Sequence, residues 1–253
     1  MSTDTANRPL LILAALALAG LATAAQAGPN LVPNGSFSTF SGGSGTCSPG
    51  GVNTQQVTNS DLSGWSTDSN YTFALNSSNY GSFANSYGGG SCIGLQPTIT
   101  ASPDGGNFIG ADASYQNPGP YTLATTPLSL VSGLTYTLTF YMAAGQQTTF
   151  SGATSDKWTV GLGPTGGTAG TTPNQATASV ALPSGGFSGW VGETMQFVAG
   201  ATNVLWFMGS STAAQGQPPF ILLDGVDMQV PEPPAYGMLA DLVRAVGEVA
   251  SAI

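Results

Sequence analysis

The stretch Leu134-Thr135-Tyr136-Thr137-Leu138-Thr139-Phe140-Tyr141-Met142 decides the fold class. Leu134, Tyr136, Leu138, Phe140 and Met142 fall on one side of an extended chain. Thr135, Thr137, Thr139 and Tyr141 fall on the other. A period of two carried by Thr, Tyr and Phe marks a half-buried β-strand. Residues 157–162 repeat it, with Trp158, Val160 and Leu162 in phase, and residues 193–198, 203–208 and 220–228 continue the series. Residues 203–208 are apolar on both phases (Val204, Leu205, Trp206, Phe207), which predicts a central strand. Gly, Pro and Ser turns separate these segments and no helical period intervenes, so the pattern points to an all-β sandwich. Residues 28–94 are rich in turn formers. Strand candidates there are residues 31–37, Gly64-Trp65 and residues 71–75.

Composition narrows the function. Of 253 residues, 41% are apolar and 6% are charged, with 3 Lys plus Arg, 12 Asp plus Glu and no His. A typical domain carries about 25% charged residues. Three bases cannot make the patch that neutralises nucleic-acid phosphates. Without imidazole there is no Ser-His-Asp or Cys-His catalysis and no His-ligated metal. The near-normal apolar fraction argues against disorder. The length suits one sandwich domain, which can run to about 250 residues.

The ends differ from the middle. Arg8 precedes an apolar run over residues 10–25, and Ala25-Gln26-Ala27 has the A-x-A form of a cleavage site. This layout predicts a secretory signal peptide over residues 1–27 and an exported chain. Two cysteines in an exported chain, Cys47 and Cys92, predict one disulfide. Near the other end, Val230-Pro231-Glu232-Pro233-Pro234 is a stiff break. Beyond it Leu239, Leu242, Val243, Val246, Val249, Ala250 and Ile253 recur at helical spacing, with Asp241, Arg244 and Glu248 opposite. That predicts a short amphipathic helix able to contact a membrane surface.

Several segments, taken in order, resemble one family. Asn30-Leu31-Val32-Pro33-Asn34-Gly35-Ser36-Phe37 is similar to the opening of galactose-binding-like β-sandwich modules, which often read N-L-V-x-N-G-x-F-E, and Gly64-Trp65 is similar to the G-W that follows. Ser102-Pro103-Asp104-Gly105-Gly106-Asn107-Phe108 resembles their P-D-G-x-N-F loop. Residues 134–140 resemble their Y-T-L-T-F strand, and residues 220–226 resemble the closing L-D-G-V strand. Pro231-Glu232-Pro233, after Val230, resembles the V-P-E-P signature of PEP-CTERM sorting proteins. The division is then a signal peptide at 1–27, a jelly-roll-like sandwich at 28–230 and a sorting motif with helical tail at 231–253. The resemblance implies an exported protein of a Gram-negative, exopolysaccharide-producing bacterium, handled by export machinery and an exosortase. The tail departs from the family, because charges interrupt its helix and no Arg cluster follows. It reads as degenerate, through a reading-frame change near residues 238–240, with the protein released rather than anchored.

Candidate sites follow. In phase with Phe220, Leu222 and Val226, Asp224 is expected to be buried, where an ionised carboxylate needs a paired charge, hydrogen bonds or a metal. The resemblance implies a structural calcium that uses this Asp and a Glu after N-G-x-F. Ser38 stands at that Glu's position. Asp104 and Asn107 are further oxygen donors, though Asp104-Gly105-Gly106-Asn107 also reads as an ordinary turn. The alternatives for Asp224 are a bulge at Gly225 that turns it outward and a carboxylate capped by backbone N–H groups. Tyr71, Tyr80 and Tyr87, interleaved with Asn70, Asn76, Asn79 and Asn85, are compatible with a carbohydrate surface or with plain loop packing. Trp65, Trp158 and Trp206 are expected in the core, and Trp190 is a fourth sugar-binding candidate. The expectation is a non-catalytic surface or matrix protein that binds polysaccharide. The alternatives are a secreted enzyme using a carboxylate pair and a purely structural matrix component.

Overall fold

Strands form where the alternation predicts them and run past its limits. The computed structural model describes residues 28–39, 55–56, 62–67, 72–76, 95–96, 99–114, 121–147, 150–164, 173–213 and 219–230. In chain order the strands are β1 (Gln55–Gln56), β2 (Trp65–Thr67), β3 (Thr72–Asn76), β4 (Asn107–Asp112), β5 (Leu123–Thr125) and β6 (Thr135–Gln146). They continue as β7 (Thr154–Gly163), β8 (Gln175–Ala176), β9 (Val180–Leu182), β10 (Val191–Val198), β11 (Val204–Ser211) and β12 (Pro219–Gln229). One sheet has the order β1-β3-β4-β12-β6-β10 and the other β2-β5-β11-β7-β8, with β9 also on β7. The described chain is an all-β sandwich of two antiparallel sheets, as expected. β11 lies in the middle of its sheet, as its apolarity on both phases predicts.

The inner phase of the long strands makes the main core. Phe207 is its hub, edge-on to Phe140 at 5.3 Å and to Trp158 at 5.8 Å, and tilted against Trp65 at 6.2 Å. Such aromatic pairs add about 0.5–1.5 kcal/mol beyond burial. The Trp158 Nε1–H crosses between the sheets to donate to the Leu222 carbonyl at 3.1 Å. A second apolar cluster covers the outer face of the six-stranded sheet. Phe73, Leu75, Phe108, Phe220 and Leu222 belong to it, with Leu95 and Ile99 packed above. That cluster explains why residues 220–223 are apolar on both phases.

Three expectations change. Residues 31–37 form turns rather than a strand, because Asn34 (φ 51°) and Phe37 (φ 48°) lie in the left-handed region. The segment is instead clipped onto β12. The Leu31 N–H donates to the Met228 carbonyl, and the Val226 N–H donates to the Gly35 carbonyl. The Asn30 side chain donates to the Val226 carbonyl at 2.8 Å and accepts from the N–H groups of Val32 and Met228. A Cβ at Gly35 would stand 1.9 Å from the Val226 oxygen, so the second half of the N-G pair must be glycine. Trp65 is tied in through its Nε1–H, which donates to the Pro33 carbonyl.

The second change is a bulge in β12. Its register with β6 runs to Asp224 opposite Tyr141 and resumes at Asp227 opposite Thr139. Gly225 (φ 57°) absorbs the extra residue. Ile221, Leu223, Val226 and Met228 therefore all face the main core. Asp224 shares the outer face with Phe220 and Leu222 and does not share a phase with Val226. The third change concerns Trp206. It is buried as expected, yet it belongs to neither core cluster. It lies over Gly161 on the outward side of the sheet that contains β11, where an added Cβ would meet its ring at 2.2 Å. Cys47, Cys92, the signal segment, the V-P-E-P motif and the tail lie outside the described residues.

Candidate functional site

The bulge brings the informative residues to one place on the outer face of the six-stranded sheet. Asp224 is fully buried, and neither carboxylate oxygen has a partner in hydrogen-bonding geometry. Burial pushes its carboxyl up to about 7, and the nearby charge of Asp104 adds to the rise. The Ser102 hydroxyl and the Gly225 N–H pull the other way. Asp104 sits in a turn closed by the Gly105 N–H donating to the Ser102 carbonyl at 3.0 Å. A Cβ at Gly225 would stand 3.3 Å from the Asp104 carboxyl carbon. The turn reading and the juxtaposition with Asp224 therefore both hold. At the start of β4, Asn107 donates its amide to the Phe37 carbonyl at 3.3 Å. Among the described residues no three Asp, Glu, Cys or His side chains converge. A hard cation at Asp224 would draw on hydroxyl and carbonyl oxygens as well as carboxylates, as calcium does.

Next to this acid lies a cleft of about 360 Å³ lined by Thr139, Phe140, Tyr141, Gly192, Glu193, Thr194 and Gly225. Tyr141 is its centre. It is half-buried, opposite Gly192 of β10 on one side and Asp224 of β12 on the other. A Cβ at Gly225 would stand 2.9 Å from Tyr141 Cδ2, and one at Gly192 would stand 3.6 Å from its Cε1. Gly192 and Gly225 thus lack the Cβ atoms that would crowd the ring, and Thr139 and Thr194 add hydroxyls. The Glu193 carboxyl is raised by burial.

Trp190 is used structurally. Its Nε1–H donates to the Thr100 carbonyl at 3.1 Å, and its ring packs edge-on against Phe108 and Phe187. Tyr71, Tyr80 and Tyr87 lie outside the described residues. A second buried acid, Asp156, stands near the start of β7. Thr154 Oγ1 donates to its Oδ2 at 2.8 Å, its Oδ1 has no partner, and burial raises it. Sequence reasoning missed Tyr141 as a site residue. The alternation placed it on the outer phase, but nothing in the linear sequence pairs it with Gly192 and Gly225.

No protein-family model matches the chain, and no curated protein matches it. Solved structures do. The carbohydrate-binding module TmCBM61, solved in complex with β-1,4-galactotriose, is 10% identical with a TM-score of 0.41, covering 81% of this chain and 100% of that one. The CBM22-1 xylan-binding domain of Xyn10C from Paenibacillus barcinonensis is 12% identical with a TM-score of 0.35, covering 72% and 95%. The K3 cleaved adhesin domain of Lys-gingipain from Porphyromonas gingivalis is 17% identical with a TM-score of 0.35, covering 70% and 96%. The chain is similar to these in architecture. The ligands named are theirs.

Proposed function

We propose that this chain is an exported, non-catalytic protein that binds polysaccharide through the Tyr141 cleft and holds a calcium ion at Asp224. One observation carries the binding reading. A half-exposed tyrosine stands against two glycines in an open cleft with the hydroxyl-bearing Thr139 and Thr194 at its margin. A sugar ring has an apolar face for stacking and a rim of hydroxyls for hydrogen bonding, and this arrangement offers both. The calcium reading rests on Asp224, whose two buried oxygens lack partners beside Asp104 and Ser102. In this proposal Asp224 and Asp104 supply carboxylate oxygens and Asn107 supports the loop.

Catalysis is not supported. A catalytic carboxylate must touch substrate, and Asp224 is fully buried. Among the described residues Glu193 is the one acid beside the cleft, its register opposite Phe140 sets it on the core face of the sheet away from Tyr141, and a glycosidase uses two carboxylates. The wider setting belongs to the same proposal: removal of residues 1–27, a Cys47–Cys92 disulfide, and residence at the cell surface or in an exopolysaccharide matrix. The V-P-E-P motif would be read by sorting machinery, with the interrupted tail favouring release.

Affinity electrophoresis in gels cast with a polysaccharide panel (galactan, xylan, β-glucan) tests the binding. Retardation by at least one glycan, lost in Tyr141→Ala with an unchanged melting temperature, is the expected result. Equal retardation of the two proteins would place the site elsewhere, and no retardation on any glycan would favour the purely structural role.

A further inference from the structure

Gln229, the last residue of β12, has an amide with one end used and the other spare. Its Nε2 donates to both oxygens of Asp227, at 2.6 and 2.7 Å. A carboxylate only accepts, so this orientation of the amide is fixed and Oε1 is the free acceptor. Gln229 Oε1 is buried, and among the described residues it has no partner. A buried acceptor left without a donor is destabilising. Donation to Asp227 polarises the amide and strengthens Oε1 as an acceptor. A cationic donor suits it best.

Cations are scarce. The sequence holds 3 bases, Arg8, Lys157 and Arg244. Lys157 is exposed on β7, in the other sheet. The neighbour of Gln229 Oε1 is Gly28. Residues 28–31 run beside the end of β12, where the Leu31 N–H donates to the Met228 carbonyl at 3.0 Å and the Met228 N–H donates to Asn30 Oδ1 at 3.1 Å. A Cβ built on Gly28 would stand 3.3 Å from Gln229 Oε1 and 3.5 Å from Val230 Cγ2. In a chain that continues through Ala27, the Gly28 nitrogen is a neutral amide tied by its peptide bond. In a chain that begins at Gly28 it is an α-ammonium group, ordinarily charged below a pH of about 7.7–8.0. A terminal nitrogen turns freely about the Cα–C bond, and one of its positions is the place that a Cβ would take. Glycine leaves that place empty.

We propose that Gln229 Oε1 receives the α-ammonium group of Gly28, a donor that exists only once residues 1–27 have been removed. The ammonium donates to Oε1 at one end of the amide, and Asp227 at the other end supplies the balancing charge. Processing thereby adds the last contact of the N-terminal clip on β12, and the mature chain is held more firmly than its precursor. The proposal rests on the removal of residues 1–27 and is independent of the Tyr141 cleft and of calcium.

A chain starting at Gly28 carries two primary amines, its terminus and Lys157, so Lys157→Arg leaves the terminus as the only one. That variant is exported from cells expressing the full-length chain, and its intact mass gives the first residue. Acetylation then removes the terminal charge, whereas reductive dimethylation keeps the charge and one N–H. Acetylation is expected to lower Tm by about 2–4 °C, and dimethylation to leave it within about 1 °C. Adding Gln229→Leu should abolish the effect of acetylation. If Gln229→Leu fails to fold, Asp227→Asn takes its place and should weaken that effect. Acetylated protein that melts with the unmodified protein overturns the site, as does a loss that persists undiminished in the Gln229 or Asp227 variant. A first residue other than Gly28 overturns it through the cleavage instead, which keeps the two failures apart.

Discussion

Asn30→Ala is the sharpest test of how the N-terminal motif works. The side chain makes one donated and two accepted hydrogen bonds, at 2.8, 2.8 and 3.1 Å, and two of the three partners are backbone groups at the β12 bulge. A net hydrogen bond is worth about 1 kcal/mol, so loss of all three would cost about 3. Asn30 itself is exposed, and water can replace part of what is lost. We therefore expect about 2 kcal/mol, or a fall in Tm of about 4–8 °C for a domain of this size. Thermal and urea unfolding, followed by both circular dichroism and tryptophan fluorescence, would measure it and check two-state behaviour. A fall of less than about 1 °C would refute the idea that this asparagine secures the bulge. Unchanged calcium dependence in a clearly destabilised variant would show that the clip and the Asp224 site are independent.

Other expectations follow from particular contacts. Gly35→Ala forces a Cβ to within 1.9 Å of a backbone oxygen, so it should be worse than Asn30→Ala, with poor soluble yield or a loss above about 3 kcal/mol by urea unfolding. Gly161→Ala must displace the buried Trp206 ring and should cost about 1–3 kcal/mol with the fluorescence of that ring altered. Without calcium, the raised Asp224 carboxyl means that the native state holds a proton the unfolded chain has released, between its ordinary value of 3.8 and about 7. Stability should therefore fall as pH rises through that window and level off above it. Asp224→Asn should remove the Asp224 share of that dependence, leaving what the raised Asp156 and Glu193 carboxyls contribute, and in chelator at pH 8 it should melt above the wild type. Added calcium should raise the wild-type Tm more at pH 8 than at pH 5, and should leave Asp224→Asn unmoved.

Much of this architecture was legible because burial imposes a period. β6 and β7 were readable from alternation, and β11 from apolarity on both phases, since each must face a core on at least one side. The short strands were harder. β5 is three residues, Leu-Ala-Thr, and is held by register with β11 and β2 rather than by a pattern of its own. Residues 31–37 looked like a strand as a short apolar island that resembles the opening of galactose-binding-like modules, but its apolar residues serve turns. Val32 and Phe37 reach the core while Asn34 takes a left-handed conformation and bonds the Thr39 N–H and carbonyl. Asp224 was legible as a buried acid, but its face was not. One inserted glycine reverses the phase of everything before it relative to everything after it, and a linear period cannot register that. Tyr141 was illegible as a site for a related reason. What sets it apart is the absence of side chains on Gly192 and Gly225, residues 51 and 84 positions further along the chain.

The scarcity of charge links the two halves of the proposed site. With 3 bases in 253 residues, a buried carboxylate here has almost no prospect of a salt bridge, and Lys157 on β7 is exposed. Beyond the Ser102 hydroxyl and the Gly225 N–H, Asp224 is therefore left with a proton or a metal ion. The two choices act differently on the cleft, because Tyr141 and Asp104 both pack close to Gly225. A protonated Asp224 has no need of the Asp104 loop, whereas a shared cation would draw that loop in and fix Gly225 beneath the tyrosine. Glycan affinity should then rise with calcium at pH 8, where the proton is gone, and change little at pH 5. Calcium-independent binding at both pH values, in a protein whose Tm does respond to calcium, would show that the ion supports the fold alone and leaves the cleft untouched.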